Sequence, residues 1–176
     1  MKFSTKAIHV GQEPDPTTGA IITPIYQTST YVQDELGKHK GYEYARTGNP
    51  TRTALEECLA SLEAGKYGLC FSSGLGATNT VMNLLSSGDH VVVGEDVYGG
   101  TYRIFDKVYK RYGVEFTFVD STDVKNTEKA IKPNTKMLWL ETPTNPLLRL
   151  ADLQAHVDLA RAKKLVSVVD NTFASP

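Results

Sequence analysis

The chain has 176 residues, of which 40% are hydrophobic and 22% charged, a composition that suits a folded chain with a full-sized core and excludes a disordered tail. Nineteen Lys and Arg balance twenty Asp and Glu to a formal charge of -1, so there is no bulk electrostatic case for nucleic acid or an anionic membrane. The longest apolar runs, four or five residues, are too short to span a bilayer.

Met1-Lys2-Phe3-Ser4 has no apolar h-region behind it, so no signal peptide is expected. Residues 1–48 lack a sustained helical or strand period. Pro14, Pro16, Pro24, Gly11, Gly19, Gly37, Gly41 and Gly48 interrupt them repeatedly. This stretch reads as an extended arm lying on another surface, such as that of a partner subunit. From Asn49 the texture changes. Pro50 suits a first helical turn, and Ala54, Leu55, Cys58, Leu59 and Leu62 recur at helical spacing.

Tyr67–Phe71 then reads as a short strand, and Ser72-Ser73-Gly74 leads into a helix carrying Val81, Met82, Leu84 and Leu85. Strands are predicted at His90–Val93, Glu115–Val119, Met137–Leu140 and Leu165–Val169. Helices are predicted near Thr101–Tyr112, Asp123–Ile131 and Leu153–Lys163. Alternation of this kind implies right-handed crossovers and a largely parallel sheet with helices on both faces, a three-layer α/β fold. The near-continuous apolar runs Val91-Val92-Val93 and Met137-Leu138-Trp139-Leu140 agree, because such strands are buried on both sides. The organisation expected is an arm over 1–48 and, over 49–176, part of a larger α/β domain. The last strand runs into Asp170 shortly before Pro176, where such a sheet would continue into another helix, so the pattern reads as truncated.

Ligands of open parallel sheets bind beyond the carboxyl ends of the strands. Those ends carry Ser72-Ser73-Gly74, Glu95-Asp96-Val97-Tyr98-Gly99-Gly100, Glu141-Thr142-Pro143-Thr144-Asn145-Pro146 and Asp170-Asn171-Thr172. Ser73-Gly74-Leu75-Gly76 lies at a strand-to-helix turn. It is either an ordinary glycine turn or an anion site built on first-turn N–H groups. It matches neither a Walker loop nor the dinucleotide fingerprint. Asp170 is a structural cap or ion-pair partner, or else the counter-charge of a protonated heterocyclic nitrogen. Tyr98, beside Gly99-Gly100, is a rim aromatic or a ring laid over a flat cofactor. Pro143 and Pro146 hold the Asn145 segment extended, which aims an amide. Arg46 makes a surface ion pair, or forks onto a phosphate with the Tyr44 hydroxyl assisting.

His9, His39, His90 and His156 have no metal-ligand spacing among themselves or with the cysteines, so no metal is expected and all four read as structural or exposed. Cys58 and Cys70 are too few for a disulfide framework and fit a reducing, cytoplasmic setting. No G-x-S-x-G elbow is present.

Five ordered stretches carry a family resemblance: Tyr42–Arg52 (YEYARTGNPTR), Ser72–Leu75 (SSGL), Asp96–Arg103 (DVYGGTYR), Glu141–Pro146 (ETPTNP) and Val169–Phe173 (VDNTF). Together they resemble the amino-terminal part of the cystathionine γ-synthase/γ-lyase family, pyridoxal-phosphate enzymes of trans-sulfuration with the fold type I large domain. The resemblance implies that backbone at Gly74 and Leu75, with Ser73, holds the phosphate of pyridoxal 5'-phosphate. Tyr44 and Arg46 would reach that phosphate from the neighbouring subunit of a homo-oligomer, a dimer of active-site-sharing subunits or a tetramer built from it. It further implies that the Tyr98 ring stacks on the pyridine, Asp170 keeps the pyridine nitrogen protonated, Asn145 contacts the phenolic oxygen, and Arg103 contacts the substrate. The catalytic assignments are thus Tyr98, Asp170 and Tyr44.

The family's Schiff-base lysine follows the Asp-Asn-Thr motif in a Ser-x-x-Lys segment that residues 1–176 do not include. The 176-residue chain alone is therefore expected to be inactive. The activity implied for the complete enzyme is carbon–sulfur chemistry on an amino-acid substrate. The γ-lyase reaction on cystathionine is favoured, because the arm and Tyr98–Arg103 look most like that branch. Cystathionine γ-synthase, cystathionine β-lyase and O-acetylhomoserine sulfhydrylase are alternatives. Gly100 stands where methionine γ-lyases carry a cysteine, which counts against that branch. Two readings of other classes are a noncatalytic subunit and a binding module that holds a phosphate ligand without chemistry.

Overall fold

In the structure, a computed structural model that describes residues 1–176, the chain divides into two units, Met1–Phe71 and Ser72–Ser175. The first begins with a short uncapped helix, α1 (Phe3–His9). Irregular chain follows, up to a two-stranded antiparallel ribbon of β1 (Gln33–Glu35) and β2 (Lys38–His39), turned at Gly37 with φ +78°. The stretch 1–48 is therefore not wholly irregular. Its helix is a short one, none of whose residues is buried.

The helix expected after Asn49 is α2 (Pro50–Leu62). Asn49 caps it by accepting the N–H groups of Thr51 at 2.9 Å and Arg52 at 3.4 Å, and Pro50 occupies a position where no intrahelical N–H is needed. α1 is tied to α2 by Lys6 Nζ, which donates to the Ser61 carbonyl at 3.0 Å. Thr51 donates to Pro24 O at 2.7 Å and accepts the Tyr26 N–H at 2.9 Å, so the helix start also fixes the segment before it. Tyr67–Phe71 is not a strand. It has no strand partner, and the Cys70 N–H is satisfied instead by Glu56 Oε1 at 2.9 Å.

The second unit opens with α3 (Gly74–Met82), which ends before Leu84 and Leu85. Then follow β3 (His90–Gly94) and α4 (Gly99–Arg103), the latter extended by a π-helical turn at Ile104–Val108 and a 3₁₀ turn at Tyr109–Tyr112. The remainder is β4 (Glu115–Val119), α5 (Val124–Ala130), β5 (Thr135–Glu141), α6 (Leu153–Lys163) and β6 (Val166–Asp170). Asp123 and Asp152 cap α5 and α6 by accepting the Lys125 and Ala155 N–H groups at 2.9 and 3.0 Å. The four strands are parallel in the order β4-β3-β5-β6, as the βα alternation requires.

Both sheet faces are covered, which explains the unbroken apolar character of β3 and β5. On one face Val91, Val93, Met137 and Trp139 pack with Met82 of α3 and Phe105. Phe105 is fully buried, stacked on Phe116 at 5.0 Å and edge-on to Trp139 at 5.1 Å. On the other face Val92 and Leu138 pack with Ala160 of α6, joined by Ala130, Ile131 and Leu159. No helix is long and apolar enough to cross a membrane.

His90 and His156 are structural, as expected. His156 links α6 to α5 through the Thr127 hydroxyl at 3.1 Å. His90, fully buried at the start of β3, lies between the hydroxyls of Thr135 at 2.7 Å and Thr117 at 2.8 Å. Burial, with Lys132 adding to it, lowers its pKa, while Glu115 opposes. The native state thus keeps His90 neutral where the unfolded chain already takes up a proton, so stability falls as pH drops below about 6.5. Replacing His90 with Asn should flatten the dependence of unfolding free energy on pH between neutrality and pH 5. The slope removed should approach about 1.4 kcal/mol per pH unit at most, read from urea titrations at several pH values.

Candidate functional site

Strand β4 lies on one side of β3 and β5 on the other, so the chain reverses direction across the sheet between β3 and β5. Reversal points are where crevices open at the carboxyl ends of parallel strands. Here a cavity of about 350 Å³ lies at those ends, with Ser73, Gly74, Leu75, Tyr98, Asn145 and Asp170 on its wall. Six residues singled out in the sequence are thus brought to one place. Arg103, on α4, is not on that wall, and Tyr44 and Arg46 belong to the first unit, where the Arg46 guanidinium lies 5.0 Å from the Tyr44 ring centroid.

Ser73 is the N-cap of α3, its Oγ accepting the Gly76 N–H at 3.1 Å. The Gly74 and Leu75 N–H groups are left without an intrahelical partner and lie at the positive end of the helix dipole. Tyr98 sits between β3 and α4 with its side chain partly exposed. A Cβ on Gly100 would overlap the Tyr98 ring and approach Leu75 to 3.1 Å, so this glycine makes room for the ring. Asp170 ends β6, and its Oδ1 accepts the N–H of Thr172 at 3.1 Å and the Thr172 hydroxyl. That bond makes a local turn and leaves Oδ2 unengaged. The carboxylate is half-buried at an open cavity, not enclosed.

Sequence reasoning left out Glu141 as a site residue. Its carboxylate is buried, with 4% of the residue exposed, and it is the register partner of Asp170 on the adjacent strand. Oε2 accepts the Tyr98 N–H at 2.8 Å and Oε1 the Asn145 N–H at 2.9 Å. Burial raises its pKa above the ordinary carboxylate value, and the charges of Asp170 and Asp96 act the same way, against the two N–H bonds. The signal was available in the period of β5, where Met137, Trp139 and Glu141 share one face. None of the wall residues is Lys or Arg, so the negative groups of a ligand meet neutral donors there, backbone N–H groups, hydroxyls and the Asn145 amide, and no cationic side chain.

These features define an α/β domain with a cavity at the carboxyl ends of its parallel strands. The chain belongs to the Cys/Met metabolism PLP-dependent enzyme family, whose model matches residues 4–176. Among curated relatives, a probable cystathionine gamma-synthase of Herpetosiphon aurantiacus is 58% identical over 99% of this chain and 54% of its own length. A cystathionine beta-lyase of Coxiella burnetii is 53% identical over 99% of this chain and 45% of its own. The crystal structure of a cystathionine gamma-lyase from Lactobacillus plantarum, complexed with L-serine, superposes with a TM-score of 0.96 at 54% identity, covering all of this chain and 46% of that one. The chain spans about half the length of the curated relatives it matches.

The family's cofactor is pyridoxal 5'-phosphate. The wall fits it chemically: unpartnered helix N–H groups suit a phosphate, and an unengaged carboxylate oxygen suits a pyridinium nitrogen. Ser73→Ala should expose the Gly76 N–H and destabilise the α3 end by about 1 kcal/mol. Thermal unfolding should record the loss, with faster amide exchange at Gly76.

Proposed function

We propose that the whole protein is a cytoplasmic, homo-oligomeric, pyridoxal-phosphate-dependent enzyme of trans-sulfuration. Its proposed reaction is γ-elimination of cystathionine to cysteine, 2-oxobutanoate and ammonia. The observation that carries this reading is the convergence of Tyr98, Asn145, Asp170 and the α3 N–H groups on one cavity. The likeness of the amino-terminal segment and of Tyr98–Arg103 to the γ-lyase branch favours elimination over replacement. Cystathionine γ-synthase is the second reading, favoured by the identity with the Herpetosiphon relative.

Bound pyridoxal phosphate supplies an electron sink for the pair left at the substrate Cα when its proton is removed. In this reading the Gly74 and Leu75 N–H groups, beside Ser73, bind the phosphate, while Tyr98 covers one face of the ring and excludes water from it. Asp170 Oδ2 holds a proton on the ring nitrogen. Asn145 orients the ring through its phenolic oxygen, and Arg103 contacts the substrate. Tyr44 and Arg46 reach the phosphate from a neighbouring copy, as residues 1–48 contact that copy while 49–176 form part of the cofactor-binding domain. The absence of Lys and Arg from the cavity wall supports an outside source of positive charge.

Incubating the purified full-length protein with cystathionine tests the reaction, because the bond broken determines the keto acid. Breaking the Cγ–S bond gives 2-oxobutanoate; pyruvate in its place would mark a β-lyase. No keto acid, with cystathionine made from an activated homoserine and cysteine, would mark a synthase.

The shared site has its own test. Asp170→Asn and Arg46→Ala should each leave the fold intact, and Asp170→Asn should lower turnover about a hundredfold or more. Dissociating and mixing the two variants should recover turnover above either parent, because some sites then receive both native residues. No recovery would place both residues of a site on one chain.

A further inference from the structure

We propose that Glu141 and Asp96 form a reciprocal clasp across the reversal point of the sheet, positioning Tyr98 and Asn145 against the cofactor. The proposal rests on the pyridoxal-phosphate reading of this cavity.

The paired register of β3 and β5 runs as far as Val93 and Trp139. Beyond it the two chains lead into separate loops, and the sheet no longer holds them together. Two carboxylates take over there. Glu141, at the end of β5, reaches into the β3 loop to accept the Tyr98 N–H at 2.8 Å, while its other oxygen accepts the Asn145 N–H at 2.9 Å. Asp96, in the β3 loop, reaches the opposite way. Its Oδ2 accepts the Thr144 hydroxyl and the Leu147 N–H, the latter at 3.3 Å. Thr144 Oγ in turn accepts the Arg149 N–H at 2.8 Å, which closes the β5 loop on itself.

Each loop thus gives the other a carboxylate, and the two residues facing the cavity are held by their backbone. This matters most for Tyr98. Its residue is 44% exposed, so its ring is not held by burial in the core. The ring's place follows from its backbone, from the Glu141 anchor and from the room left by Gly100. Glu141 touches both Tyr98 and Asn145 with one buried group, so the separation of the two is set by a single carboxylate. An aspartate at 141 is one methylene too short to span them. Burial favours the protonated acid while both N–H bonds favour the carboxylate, so the clasp is also sensitive to a neutral replacement.

The test uses the full-length protein freed of cofactor, with pyridoxal 5'-phosphate as the probe. Affinity is measured by titration, and amide exchange is followed at Tyr98 and Asn145. Glu141→Gln keeps the shape but confronts one N–H with an amide NH₂, and should weaken affinity about tenfold with faster exchange at one or both amides. Glu141→Asp should not rescue it. In a Tyr98→Ala background, Glu141→Gln should cost much less than it does in the wild type, because it acts largely through that ring. Asp96→Asn, which leaves Glu141 untouched, should produce a smaller loss of the same kind and keeps the idea testable if Glu141→Gln does not fold.

Folded Glu141→Gln and Asp96→Asn proteins with wild-type affinity and exchange would overturn the clasp. So would an undiminished loss in the Tyr98→Ala background. A wild-type protein with protected Tyr98 and Asn145 amides that binds no pyridoxal phosphate would overturn the cofactor reading itself, and the positioning role with it.

Discussion

Parallel strands that are apolar on both faces must be covered on both faces, and β3 and β5 impose that requirement on the second unit. Each connection between neighbouring parallel strands crosses over a face of the sheet with the same hand. Running from β3 to β4 and then back past β3 to β5 puts the α4 connection and α5 on opposite sides, and α6, which leads on from β5 to β6, lies on the α5 side. The loops leaving β3 and β5 therefore part from one another, and a crevice opens between them. The position of the cavity is a consequence of strand order.

The chemistry of the crevice follows from what a parallel sheet offers at its carboxyl ends. Helix starts supply N–H groups, and strand ends supply side chains that alternate between faces. Trp139 and Glu141 share a face, as do Val168 and Asp170, so the apolar positions feed the core while the final position of each strand turns polar. Two carboxylates then stand side by side in register. They do different work because their partners differ: Glu141 is buried and engaged at both oxygens, while Asp170 is engaged at one. Such neighbours are tolerable together because the buried one is held by N–H groups and shifted toward its neutral form.

The first unit follows a different logic. It has little apolar burial of its own: Ala54 and Cys58 are the only buried residues of α2, and α1 has none. Its order comes from polar bonds at the start of α2, where Asn49 and Thr51 engage both the helix and the chain at Pro24 and Tyr26. Ile21, Ile22, Ile25, Val32 and Leu36 stay exposed in this unit. These apolar side chains therefore add nothing to a core of the first unit.

Strong periods and end signals were enough for most of the second unit. β4 and α6 have the boundaries read from the residues, since an alternating run ended by turn residues and an amphipathic run after an N-capping Asp each admit one local solution. The family and its cofactor were legible too, because five motifs in fixed order leave little freedom. What local pattern could not decide was how backbone groups outside regular elements are satisfied. Tyr67–Phe71 has strand composition, yet a strand exists only where another strand pairs with it, and a Glu56 oxygen took the Cys70 N–H instead. α1 buries none of its residues, and Lys6 ties it to a carbonyl far along the chain. Glu141 looked like one more polar residue at a strand end. Only the parallel register, which sets it beside Asp170 and within reach of Tyr98 and Asn145, makes it the group on which the two loops meet, because hydrogen bonds between distant segments are fixed by the fold and not by neighbours in sequence.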